Sequence, residues 1–240
     1  MTTNDIHATG EPRTEANDPL VLSDAAARAL LRETPWRRFA VIGDSTAAGT
    51  GDPAPGYETL PWADRLGRWL RDAHPESAYL NTGRMGATIP EVGAEQLDRL
   101  YAFRPDLVHV TCGGNDLFLR NAELAEVEHD LDELCASATS TGARLSMFTL
   151  ADAFTGRMTP LRPRFAAFAD IVRRVAARHD AILTEFWEHP ARLRADWLSA
   201  DLIHLTMAGH AVVAAELAKS YARHADPHAV TQPAELIGDR

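Results

Sequence analysis

The chain has 240 residues, 45% of them hydrophobic and 24% charged, which are the proportions of a folding globular protein rather than a disordered or fibrous one. Its formal net charge is −10 and no block of Lys and Arg stands out, which excludes the basic footprint that nucleic-acid phosphates require. The two cysteines, Cys112 and Cys135, are too few for a disulfide scaffold and are not spaced as a metal or redox pair, so both are expected as buried reduced thiols.

Residues 1–18 lack hydrophobic periodicity and are expected to form a flexible tail. They carry no basic start with an apolar stretch, the mark of an export signal, and no run in the chain approaches the roughly 20 apolar residues of a membrane span. The expectation is a cytoplasmic protein without membrane insertion. Order is expected from "DPLVLSDAAARALLRE", where Ser23 or Asp24 can cap a short amphipathic helix.

The apolar run "RRFAVIGDS" then reads as a strand buried on both faces, ending at Gly43. Further strand-like runs follow at 78–83, 106–114, 143–150 and 180–186. Between and after them lie segments of helical spacing, at 57–73, 88–103, 121–140, 162–179 and 206–224. Regular alternation of this kind predicts one α/β domain over residues 19–225, a five-stranded parallel sheet covered by helices on both faces, with a C-terminal extension at 226–240.

Ligands of such sheets gather beyond the carboxyl ends of the strands. There the first three strands deliver "GDS", "NTGRMGAT" and "GGND". Gly43 and Gly49 permit a tight turn from which Ser45 can project, but its hydroxyl is a weak nucleophile until a base takes the proton. The segment "SADLIHLTMAGH" supplies that base in His204, with Asp201 three residues earlier to hold the imidazole tautomer. Donors for a developing oxyanion are available in the backbone N–H groups of Ser45 and Gly86 and the side-chain amide of Asn115.

"FAVIGDSTAAG", "NTGRMGAT", "VTCGGNDL" and "DLIHLTMAGH", in this order, resemble the four blocks of the SGNH hydrolases, also called GDSL-type esterases and lipases. The resemblance covers residues 38–222 and implies a flavodoxin-like three-layer α/β/α sandwich that needs neither metal nor other cofactor. It implies Ser45 as nucleophile, His204 as base, Asp201 as its orienting acid, and Ser45, Gly86 and Asn115 as the oxyanion hole. Thr46 stands where the name motif has leucine, a position without chemistry of its own.

Asp44 is expected to bond backbone donors in its turn, Asn81 to brace the second loop, and Asp116 to cap a helix. Cys112 either packs or shapes the pocket wall. His204 and His210 lack the i, i+4 spacing of the helical zinc motif, and "GDSTAAGTG" lacks the lysine of a phosphate loop. The expected activity is cleavage of a small-molecule carboxylic ester with a small or medium acyl group, through an acyl-enzyme. The same residues can serve an acyltransferase or thioesterase, and a non-catalytic binding protein on the same fold is the third reading. The loops at 46–62 and 151–163 are expected to wall the pocket.

Overall fold

The structure, a computed structural model, describes residues 12–119 and 122–225. The first eleven residues and the extension at 226–240 lie outside the described residues. The sheet contains β1 (Arg38–Gly43), β2 (Ala78–Asn81), β3 (Leu107–Thr111), β4 (Arg144–Phe148) and β5 (Ile182–Thr184) in the order β2-β1-β3-β4-β5. Every pairing is parallel, with Phe39 opposite Leu107 and Val108 opposite Leu145 in the central ladders. From β1 the chain steps outward to β2 on one side, then to β3, β4 and β5 on the other. The carboxyl end of β1 is therefore the switch point where a crevice opens.

Helices α1 (Asp24–Leu31), α3 (Trp62–Ala73) and α8 (Met207–Ala225) cover one face; α4 (Ile89–Phe103), α6 (Leu124–Thr139) and α7 (Arg162–Arg178) cover the other. Two short helices, α2 (Ser45–Ala48) and α5 (Gly114–Phe118), sit at the ends of β1 and β3. Alternating side chains of the central strands feed the two cores: Val108, Val110, Leu145 and Met147 pack with α6 and α7, while Phe39, Val41, Leu107 and Phe148 pack with α3 and α8. This is the flavodoxin-like three-layer α/β/α sandwich expected from the sequence. Ser23 caps α1, its Oγ accepting from the Ala26 N–H at 3.2 Å.

Residues 12–18, assigned to the tail by the sequence, are tied to the domain. Asp18 is buried, accepting hydrogen bonds from both terminal nitrogens of Arg194 at 2.8 Å and from the Tyr57 hydroxyl at 2.8 Å. Arg13 pairs with Asp196 at 3.1 Å, and Glu15 pairs with the fully buried Arg65. Polar partners far along the chain hold the segment, so hydrophobic periodicity could not reveal it. No helix of the described residues is long and apolar enough to cross a membrane.

Candidate active site

Gly43 ends β1 at φ +147°, where an added Cβ would lie 1.9 Å from the Thr111 carbonyl oxygen. Only a residue without Cβ lets the chain turn this close to β3. The side chain of Gln96, on α4, fastens the turn: its oxygen accepts from the Gly43 N–H at 2.9 Å and its nitrogen donates to the Gly43 carbonyl at 2.8 Å. Asp44 caps α2 by accepting from the Thr46 N–H at 2.8 Å, which starts the helix at Ser45. On the other side, the Trp62 indole donates to the Thr46 carbonyl at 2.8 Å. Ser45 is thus held at the head of a short helix instead of on a free loop.

Asp201 and His204 come from a narrow loop closed by the antiparallel bridge between Leu198 and Leu205. Oδ1 of Asp201 accepts from the backbone N–H groups of Ile203 at 2.9 Å and His204 at 3.0 Å, while Oδ2 lies 2.6 Å from His204 Nδ1. The turn puts Leu202 at φ +62°, a left-handed conformation that costs a non-glycine residue about 1–2 kcal/mol. The far ring nitrogen, Nε2 of His204, is 2.8 Å from Ser45 Oγ. Three residues up to 159 positions apart thereby form one hydrogen-bonded chain, from carboxylate through imidazole to hydroxyl.

Asn115 lies in α5 beside this chain and lines the same cleft. One amide hydrogen is used in a 2.9 Å bond to the Ala87 carbonyl, which leaves the second free for another acceptor. Gly86 stands at φ +77° in the exposed turn after β2 and is not part of the cleft wall; the Asn115–Ala87 bond is what joins its turn to α5. Asn81 braces that turn, accepting from the Gly83 N–H at 2.9 Å and donating to the Ala47 carbonyl at 2.8 Å. Asp116 does cap a helix, though not its own: its carboxylate accepts from the Ile89 N–H at the start of α4, at 3.2 Å.

Electrostatics separates the carboxylates. Burial raises the pKa of Asp44 to about 6, against the opposing effect of the Thr46 N–H and hydroxyl. For Asp201 burial also acts upward, but the bonds from the His204 ring and from the Ile203 and His204 N–H groups outweigh it and hold the carboxyl below its usual value. Asp201 is therefore the group that stays ionised opposite His204. Burial, and then the charge of Asp44, push the Cys112 thiol well up, so this cleft residue stays protonated.

His210 is buried in α8, with Trp62 N–H donating to its Nδ1 at 3.4 Å and its Nε2 facing the Thr50 carbonyl at 3.3 Å; it supports the loop after Ser45. Both loops expected to wall the cleft contribute to it, through Thr46 and Thr50 on one side and Ala151, Phe154 and Met158 on the other. Sequence reasoning missed Gln96 and Leu202. A polar residue inside an amphipathic helix carries no sign of a distant backbone partner, and Leu is the last residue type expected at positive φ. Among the described residues no group of three His, Cys, Asp or Glu side chains could hold a metal ion.

Comparison with known proteins agrees with this architecture. An α/β hydrolase enzyme from the metagenome of Lake Arreo, Spain, is 27% identical and superposes with a TM-score of 0.63, over 77% of this chain and 94% of the other. A lipase/acylhydrolase from Enterococcus faecalis is 22% identical with a TM-score of 0.64, over 78% and 96% of the two chains. An acetylxylan esterase from Geobacillus stearothermophilus is 21% identical with a TM-score of 0.63, over 77% and 94%. No curated protein matches the sequence. The family model described as GDSL-like lipase/acylhydrolase matches residues 41–212, a span that begins within β1, ends within α8 and contains the whole Ser45, Asn115, Asp201 and His204 constellation. The chain belongs to the GDSL-like lipase/acylhydrolase family.

Proposed function

We propose that the protein is a serine hydrolase that cleaves a neutral carboxylic ester of a small or medium acyl group through an acyl-enzyme. The observation that carries this reading is the continuous chain Asp201–His204–Ser45, with links of 2.6 and 2.8 Å, opening onto a cleft. His204 Nε2 takes the Ser45 proton as Oγ bonds to the ester carbonyl carbon, and Asp201 stabilises the imidazolium that results. The carbonyl oxygen, now negative, accepts from the Ser45 N–H and the free amide hydrogen of Asn115, with the Gly86 N–H as the third donor of this reading. The C–O bond to the alcohol breaks, with His204 returning the proton to the leaving oxygen. Water then attacks the acyl-Ser45 ester, activated by the same imidazole, and releases the acid.

Ser45→Ala is expected to lower ester turnover more than about 10⁴-fold, and Asn115→Ala about 10²- to 10³-fold in kcat with KM little changed. Steady-state kinetics on a simple chromogenic ester checks both. Turnover by Ser45→Ala at the wild-type rate would overturn the assignment.

A further inference from the structure

The two links of the Asp201–His204–Ser45 chain are held in different ways. Asp201 and His204 share one turn, which closes on itself through the two backbone N–H groups bonded to Asp201 Oδ1. Ser45 belongs to another segment, 159 positions away, so its 2.8 Å link to His204 depends on how the loop after α2 meets the loop before α8. Gly51 lets those two loops touch, since a Cβ there would run into the Leu205 carbonyl oxygen and lie 3.1 Å from His210 Nε2.

Asp52, the next residue, bonds across this junction with its N–H, its carbonyl and its side chain. The N–H donates to Ser199 Oγ at 2.8 Å, the carbonyl accepts from the Met207 N–H at 2.9 Å, and the carboxylate Oδ2 accepts from the Ala200 N–H at 2.9 Å. These partners bracket the Asp201–His204 turn, Ser199 and Ala200 before it and Met207 after it. Ser199 closes the ring, its Oγ donating to the Leu205 carbonyl at 2.9 Å and its N–H to the His204 carbonyl at 2.7 Å. Among the described residues the Ala200 N–H is the only hydrogen-bond partner of the exposed Asp52 carboxylate.

We propose that Asp52 is a positioning residue for the transfer of the Ser45 proton: its carboxylate holds Ala200, the neighbour of Asp201, and so sets the distance from His204 Nε2 to Ser45 Oγ. This rests on the serine-hydrolase reading above. Without the carboxylate the turn keeps its internal Asp201–His204 bonds but is released on its Ala200 side. A displacement of about 1 Å at the reacting atoms costs on the order of 10²-fold in rate. An exposed hydrogen bond contributes little to global stability, because water takes its place when it is lost, so the effect falls on turnover rather than on folding.

The test is steady-state kinetics of the full chain on a chromogenic ester, with the rate of Ser45 labelling by a fluorophosphonate measured alongside. Asp52→Ala is expected to lower kcat and the labelling rate about tenfold or more, with KM within about twofold of wild type. Asp52→Asn, whose amide oxygen still accepts from the Ala200 N–H, is expected to keep kcat within about threefold of wild type. Ser199→Ala removes the acceptor of the Asp52 N–H and leaves the carboxylate in place; it is expected to lower kcat with KM retained, and it decides the matter if Asp52→Ala does not fold. Wild-type kcat in Asp52→Ala, or in Ser199→Ala where that variant stands in for it, overturns the positioning role and leaves the serine mechanism standing, as does a loss that Asp52→Asn shares in full. No Ser45-dependent turnover or labelling in the wild type overturns the mechanism and the positioning role with it.

Discussion

Asp44 and Asp201 show how two carboxylates around one imidazole take different roles. Asp201 is half exposed and held by three donors, so its carboxyl stays below its usual value and ionised. Asp44 is buried at the base of α2, where its pKa rises to about 6. Its folded-state value lies above the unfolded value of 3.8, so the native state binds the proton more readily and stability falls as pH rises from about 4 to 6. Asp44→Asn removes that penalty and keeps an acceptor for the Thr46 N–H. The stability of the variant relative to wild type is expected to grow between pH 4 and pH 7 by on the order of 3 kcal/mol. Its turnover should fall, because the negative charge of Asp44 favours the imidazolium form of His204 in the transition state. Urea denaturation at several pH values, paired with ester kinetics, checks both; parallel stability curves for the two proteins would contradict the burial argument.

At the scale of elements, all five strands and the six long helices were readable from hydrophobic spacing, with boundaries one or two residues wide of those observed at most strand ends. The runs overshoot because residues such as Thr149 and Leu150, just past β4, are as apolar or β-branched as the strand itself but turn away to wall the cleft. Helices α2 and α5 went unread. They have four and five residues, too few for a periodic signal, and they exist because Asp44 caps one and Gly113, at φ +110°, turns the chain into the other. In the candidate site, the types and spacing of Ser45, Asp201, His204 and Asn115 were readable, whereas the brace formed by Gln96 was not. Gln96→Ala leaves the N–H of Gly43 buried without its partner, while its carbonyl keeps the Arg84 N–H at 3.1 Å. The expected loss is about 1–3 kcal/mol of stability, from one unsatisfied buried donor. Thermal or urea unfolding measures it; a loss under about 0.5 kcal/mol would mean that water replaces the side chain.

Over the whole molecule, the family region and the site coincide at the switch point of the sheet, while the segment before β1 adds something of its own. Arg13, Glu15 and Asp18 reach respectively to Asp196, Arg65 and Arg194, so the N-terminal segment joins α3 to the loop that leads into Trp197 and the Asp201–His204 turn. The two halves of the site, one at the end of β1 and one ahead of α8, are further stitched by Ser199, whose Oγ accepts from the Asp52 N–H at 2.8 Å and donates to the Leu205 carbonyl at 2.9 Å. Such an arrangement holds Ser45 fixed at the cleft, and the proposed mechanism rests on a covalent acyl-Ser45 intermediate. Rapid quench with a slowly deacylating octanoyl ester, followed by intact-mass and peptide mass spectrometry, tests this directly. The expected result is an octanoyl adduct on the peptide containing Ser45, absent from Ser45→Ala. Ester turnover at full rate with no adduct at Ser45, or an adduct that persists in Ser45→Ala on another residue, would contradict it.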